Sequence, residues 1–267
     1  MAFGEVELLH DLDRPNGWLL SMDGVPQSYV DLGDATYLDF EYARLMADVI
    51  DTLPAGPLDA VHIGGGACTL PRYVAAVRPG SRQIVIERDA ALVDLVRTQL
   101  RLKAVPRLKV RVLDGRAGAA TLGDDSADLL ILDAFAGAAM PVDLATAEYM
   151  ADLARVLRPT GTLLINVADG KRLTFARRLA ATVNDTFRHT VLLAEPAVMR
   201  GRRFGNMIVA ASARPLDVET LTHRAAAGFP QARCLHAQTL TNFTAGAPIM
   251  HDGDSVAVPV PPPGLFG

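Results

Sequence analysis

Residues 61–70 read Val-His-Ile-Gly64-Gly65-Gly66-Ala-Cys-Thr-Leu, and the next apolar run closes on Glu87. An apolar strand that runs into glycines lets a ligand reach the backbone, and the helix after it offers N–H groups without partners. An acid ending the next strand can bind a ribose diol. Glu87 follows Gly66 by 21 residues, the spacing expected when one helix joins two neighbouring parallel strands. The chemistry this implies is nucleoside binding. Glycine also serves tight strand-to-helix turns for steric reasons alone, so the acids further along decide the matter.

Those acids recur at strand ends. Leu108-Lys-Val-Arg-Val-Leu-Asp114-Gly115 reads as a third strand ending in an acid, and Ala127-Asp-Leu-Leu-Ile-Leu-Asp133 as a fourth. Ligands of a doubly wound sheet sit at the carboxyl ends of its strands. Gly64, Gly65, Gly66, Glu87, Asp114, Gly115 and Asp133 are therefore expected to share one crevice. Asp133 has a plainer reading as a turn cap, and Asp169, after the fifth strand, either supplies a base or forms a turn. Cys68 is either a thiol activated by a helix N-terminus or a small filler. Trp18 and Phe135 either line a pocket or fill the core. The six histidines show no metal-ligand spacing, and no metal is expected.

The elements that must position these residues follow from hydrophobic periodicity. Short strands at residues 5–9, 17–22 and 27–32 are separated by Arg14-Pro-Asn-Gly17 and Asp23-Gly-Val-Pro26, which is turn chemistry for a small antiparallel unit. Residues 42–53 have helical spacing, with Leu45, Met46, Val49 and Ile50 on one face. From residue 58 to about 212 strands alternate with helices, expected at 90–102, 144–157 and 171–186, the signature of a mainly parallel sheet. Further strands are expected at 161–167, 189–194 and 206–211. This divides the chain into a small β domain with its linking helix (1–57), a nucleoside-binding domain (58–250) and a proline-rich tail (251–267), read as extended and loosely held.

Composition fits a compact α/β protein. The chain has 267 residues, half of them hydrophobic, with 21% charged and a net charge of −4. No basic footprint suggests a nucleic-acid partner. No apolar run reaches bilayer length, and the N-terminus lacks a basic-then-apolar leader. The expected location is cytoplasmic, with no membrane association. Two cysteines are too few for a disulfide framework.

The motifs Asp23-Gly24-Val25-x-Gln27, Asp39-Phe40-x-Tyr42, Gly64-Gly65-Gly66, Glu87, Asp114-Gly115 and Leu132-Asp133, in that order, resemble the spermidine synthase family of aminopropyltransferases. The resemblance covers roughly residues 5–212. It implies a Rossmann-like, methyltransferase-type seven-stranded sheet behind a small N-terminal antiparallel β domain. It also implies binding of S-adenosylmethionine or its decarboxylated form as co-substrate, alkyl transfer from the sulfonium to a small-molecule amine, and a homodimer. On this resemblance Gln27 and Glu87 hold the nucleoside, with Glu87 on the ribose. Asp114 faces the adenine amino group, Asp133 lies beside the sulfonium as the catalytic acid, and Tyr42 belongs to the acceptor side.

The chain departs from the family where the amine is handled. Ala67 replaces the acid of Gly-Gly-Gly-Asp-Gly, and the family's Asp-Ser-Ser-Asp-Pro is Asp133-Ala134-Phe135-Ala136-Gly137, without the second acid. The family's Thr-Tyr-Pro loop is Ala197-Val198-Met199-Arg200, continuing Gly201-Arg202-Arg203. Two acids are lost, and Arg44, Arg200, Arg202 and Arg203 are gained. Read as anion anchors, these arginines point to an anionic or neutral acceptor, or to S-adenosylmethionine with its carboxylate intact. Read plainly, Arg200–Arg203 is a solvated hairpin tip. Three functions stay open: an aminopropyl or other alkyl transferase, a small-molecule methyltransferase, and a non-catalytic degenerate member. A nicotinamide enzyme is disfavoured by Thr69 in place of the last glycine of Gly-x-Gly-x-x-Gly.

Overall fold

The computed structural model describes residues 4–262, 264 and 265. Strands β1 (Val6–His10), β2 (Gly17–Met22) and β3 (Val25–Asp31) form an antiparallel meander. Helix α1 (Glu41–Thr52) follows, burying Leu45, Met46, Val49 and Ile50 as their spacing predicts. The second sheet contains β4 (Asp59–Ile63), β5 (Arg82–Glu87), β6 (Leu108–Val112), β7 (Ala127–Leu132), β8 (Leu157–Asp169), β9 (His189–Ala194), β10 (Gly205–Ser212) and β11 (Arg233–His236). Its order is β11-β9-β10-β8-β7-β4-β5-β6. The run from β8 to β6 is parallel, whereas β10, β9 and β11 pair antiparallel.

All seven expected strands form, and β11 extends the edge as an eighth. It escaped the sequence reading because four residues, Arg233-Cys-Leu-His236, the outer two exposed, carry too little periodicity. The remaining helices are α2 (Thr69–Val77), α3 (Ala90–Gln99), α4 (Gly115–Ala120), α5 (Ala147–Val156), α6 (Thr174–Thr186), α7 (Pro196–Met199), α8 (Val218–Ala227) and α9 (Ala237–Thr244). No helix among the described residues is long and apolar enough to cross a membrane.

Alternating residues of the central strands feed two cores. Leu130, Leu163, Ile165 and Val209 pack with α5, α6 and α9 on one face. Leu129, Ile131, Leu164 and Ile208 pack with α1, α2 and α8 on the other. The central strands are apolar on both sides, as a sheet covered by helices on both faces demands. A third cluster joins Leu20 and Val30 of the meander to Val85 of β5 and Leu92 and Val96 of α3. The Thr69 hydroxyl also donates to the Tyr29 carbonyl at 2.9 Å. The meander is thus held over the carboxyl end of the parallel strands.

The start of the tail corrects the sequence reading. Met250 is fully buried, and Arg116 grips Asp252 through two bonds of 2.7 and 2.8 Å. The Thr146 hydroxyl donates to Asp252 at 2.7 Å, and Arg178 pairs with Asp254 at 2.9 Å. Only the fold brings these aspartates to their arginines. Asp252→Ala is expected to speed thermolysin cleavage between Val256 and Val260 while changing global stability by less than about 1 kcal/mol, the scale of an exposed pair.

Candidate functional site

The parallel order reverses between β4 and β7, the switch point at which open α/β sheets bind ligands. A cleft of about 800 Å³ opens there, beneath β3. The Asp133 N–H donates to the Ile63 carbonyl at 2.8 Å, drawing the two strand ends together. Gly64 has φ +95°, and a Cβ on it would sit 2.1 Å from the Asp133 carbonyl oxygen. Gly66, at φ +47°, would meet the Ser28 hydroxyl at 2.4 Å. Only glycine permits this closeness of β3, β4 and β7.

Glu87 and Asp114 are aimed by backbone donors. The Gly65 N–H donates to Glu87 Oε2 at 2.8 Å and the Asp89 N–H to Oε1 at 2.9 Å, which fixes the carboxylate beside the glycine turn. Asp114 accepts the Arg116 N–H at 2.9 Å as the N-cap of α4 and also lines the cleft, as does the backbone of Gly115. Gln27 reaches over the opening and donates to the Gly137 carbonyl at 3.3 Å.

Asp133 occupies the middle. Asn166 Nδ2 donates to its Oδ1 at 2.9 Å, and Asn206 Nδ2 donates to Asn166 Oδ1 at 2.8 Å. This chain of amides fixes which end of Asn166 faces the carboxylate. The Tyr42 hydroxyl donates to the Gln27 carbonyl at 3.5 Å and favours the ionised form of Asp133. Burial pushes the Asp133 carboxyl up to about 6, against the opposing pull of Asn166 and Tyr42. Burial, with Asp133 as neighbour, pushes the Tyr42 phenol well above its usual range. Asp133 therefore changes charge close to neutrality, as a proton acceptor requires.

Gln27, Tyr42, Gly64, Gly65, Gly66, Glu87, Asp114, Gly115, Asp133 and Arg203 all line this one cleft. Two other expected residues do not. Asp169 points away and caps α6, accepting the Gly170 N–H at 2.7 Å and the Ala176 N–H at 3.0 Å. This placement fits the turn reading, because the start of α6 five residues on needs an acceptor. Arg200 is exposed at the C-terminal end of α7 and lies outside the cleft.

Of the four arginines behind the charge argument, one lines the cleft. Arg44 binds the carbonyls of Leu38 and Asp39, and neither it nor Arg202 lines the cleft. Arg203 does, but it is bound by Glu41 and Glu195. Seven carboxylates (Asp39, Glu41, Glu87, Asp89, Asp114, Asp133 and Asp143) and two guanidiniums (Arg88 and Arg203) line the cleft among the described residues. Its character is acidic. Sequence order cannot reveal this, since Glu41 meets Arg203 from a segment 162 residues away.

Cys68 is buried, and its thiol is pushed up to about 12 by desolvation, so it is the small filler. Trp18 packs in the third cluster and against His10, whereas Phe135 lines the cleft. The sequence reading missed Asn166, Asn206 and Glu41. A signal for the first was present: an asparagine within the buried run Leu163-Leu-Ile-Asn-Val-Ala168 needs a polar partner.

Fold and cleft together define a Rossmann-like, methyltransferase-type α/β protein with a β meander over its ligand crevice. No family model and no curated protein matches the sequence. Among solved structures, the chain is 34% identical to a probable spermidine synthase from Corynebacterium glutamicum, with a TM-score of 0.87 over 96% of this chain and 95% of that one. The chain belongs to the spermidine synthase family. It shares its fold with the spermidine synthase of Thermotoga maritima at 15% identity and TM-score 0.60, over 82% of this chain and 73% of that one. Human methyltransferase-like protein 13, in complex with SAH, matches at 19% identity and TM-score 0.57, over 80% and 96% of the two chains.

Proposed function

We propose that the protein transfers an aminopropyl group, or a related alkyl group, from the sulfonium of decarboxylated S-adenosylmethionine to a small amine. The observation that carries this reading is the acidic cleft with Asp133 at its centre. A sulfonium nucleoside and an amine are both cationic, and each loses hydration on entering. Carboxylates offset that loss. Glu87 is suited to the ribose hydroxyls and Asp114 to the adenine amino group, and Gln27 closes the site above them. Asp133 lies where the sulfonium side chain and the amine would meet.

The step is an in-line displacement. The amine lone pair forms a C–N bond to the carbon beside sulfur, and the C–S bond breaks with its electrons passing to sulfur. The sulfonium becomes a neutral thioether, methylthioadenosine. Before attack the ammonium must lose a proton, and Asp133 is ionised above pH 6 and able to take it. The tether from Asn166 keeps the accepting carboxylate in place. The acid missing at Ala136 leaves Asp133 as the acceptor in this cleft.

Methyl transfer is a second reading, favoured by Ala67 and Ala136 standing where the family has acids. Calorimetric titration with S-adenosylmethionine, its decarboxylated form and methylthioadenosine separates the two. Preference for the decarboxylated form, and product from an amine, is expected. Preference for the intact form overturns aminopropyl transfer. Glu87→Ala is expected to weaken methylthioadenosine binding by about 1–3 kcal/mol, the scale of leaving buried polar groups unpaired. Unchanged affinity in that titration removes Glu87 from the site.

A further inference from the structure

We propose that Arg203 is a built-in counter-cation that sets the charge of the acceptor, so that this cleft takes an amine carrying no second positive charge. The inference rests on the transferase reading above and concerns the acceptor side of the same cleft.

Arg203 is presented by the loop between α7 and β10, and that loop is tightly fixed. Gly201 has φ +66°, and a Cβ there would lie 1.8 Å from the Lys171 carbonyl oxygen. The Arg202 N–H donates to the Ala197 carbonyl at 2.9 Å, and Phe204 packs against Gly170. The guanidinium then reaches back, where Nη2 bonds Glu195 and lies 3.3 Å from Glu41 Oε2. Glu41 comes from the first turn of α1, next to Tyr42, and lines the cleft with Arg203. Glu41 and Arg203 are 26% and 48% exposed and line the cleft, whereas Glu195 holds the guanidinium from outside its lining.

The Glu41 carboxylate would suit the distal ammonium of a diamine. Here the Arg203 guanidinium, held on its other side by Glu195, already occupies it. A second ammonium would lose that partner and meet a like charge at close range. A distal carboxylate fares no better, because Arg203 is already paired with Glu41, and Asp39 and Asp133 line the same cleft. An uncharged tail avoids both penalties and finds Phe40 and Phe204 in the same cleft. Burial raises the Glu41 carboxyl, and the Arg203 guanidinium opposes that shift.

The test is calorimetric titration of the full chain, saturated with methylthioadenosine, with butylamine, 1,4-diaminobutane and 4-aminobutanoate. Wild type is expected to bind butylamine most tightly. Arg203→Gln is expected to move the preference toward 1,4-diaminobutane by about fivefold, the scale of one partly exposed charge pair. Arg203→Lys keeps a cation and should keep the wild-type order. The double variant Arg203→Gln, Glu41→Gln should lose the gain. A wild-type preference for the diamine or for 4-aminobutanoate overturns the proposal. Methylthioadenosine binding with an unchanged amine ratio in Arg203→Gln overturns it alone, whereas no methylthioadenosine binding to wild type overturns the transferase reading and this proposal with it.

Discussion

Asp133→Asn is expected to cost activity and add stability at the same time. An amide cannot take the proton of the incoming ammonium, and transfer should fall by about 10²–10⁴-fold, the range for a positioned general base. The ascending limb of the pH–rate profile near 6 should vanish with it. The stability change follows from linkage. The Asp133 carboxyl moves from 3.8 to about 6 on folding, so the folded state holds this proton more tightly than the unfolded chain. Its ionised form therefore opposes folding, fully above pH 6 and not at all below 3.8. Asparagine can still accept the Asn166 amide and has no charge to bury. A gain of about 1–2 kcal/mol at pH 7.5 is expected, less than a fully buried charge would give because the side chain is only partly covered. Denaturant titrations at pH 7.5 and 4 check it. A variant less stable than wild type at pH 7.5 would show that Asp133 is not held at a cost.

Gly64→Ala carries the second large effect. The backbone there lies at φ +95°, and the added methyl would stand 2.1 Å from the carbonyl oxygen of Asp133. Backbone cannot yield as a flexible side chain does, so β4 and β7 must separate. A loss of about 3 kcal/mol of stability is expected from strain of this kind, together with loss of methylthioadenosine binding, since the glycine turn and Asp133 move together. Thermal unfolding and calorimetry on the same preparation measure both. Normal binding by a stable Gly64→Ala protein would disprove the tight crossing of the two strands. Gly123→Ala, where an added Cβ meets nothing within 4 Å, is the matched control.

What could be read in the sequence was local. Gly64–Gly66, Glu87, Asp114 and Asp133 were legible because strand-end chemistry recurs at regular intervals along one chain. The helix burying Leu45 and Ile50 was legible from its period. The rest depended on contacts between distant segments. Asp169 and Asp133 look alike in sequence, each an acid after a buried strand. One faces a helix start and the other a cleft, and only the packing of α6 separates them. The arginines misled for the same reason: a cation's meaning lies in its partners, and Glu41 lies 162 residues from Arg203. Strand β11 is too short to announce itself, and its pairing with β9 is decided by the edge it finds.

The insertion of β10 between β8 and β9 constrains the order of assembly. Strand β9 pairs with β10 and β11 and with no earlier strand. A nascent chain that has emerged only as far as β9 therefore cannot yet dock it. Until β10 follows, the edge of β8 stays open, and its last nine residues are buried in the finished fold. An open apolar edge of that length is a template for pairing with other chains. The growing polypeptide is most vulnerable during the interval between these two hairpin partners, and α7, with its fixed loop, keeps that interval to ten residues.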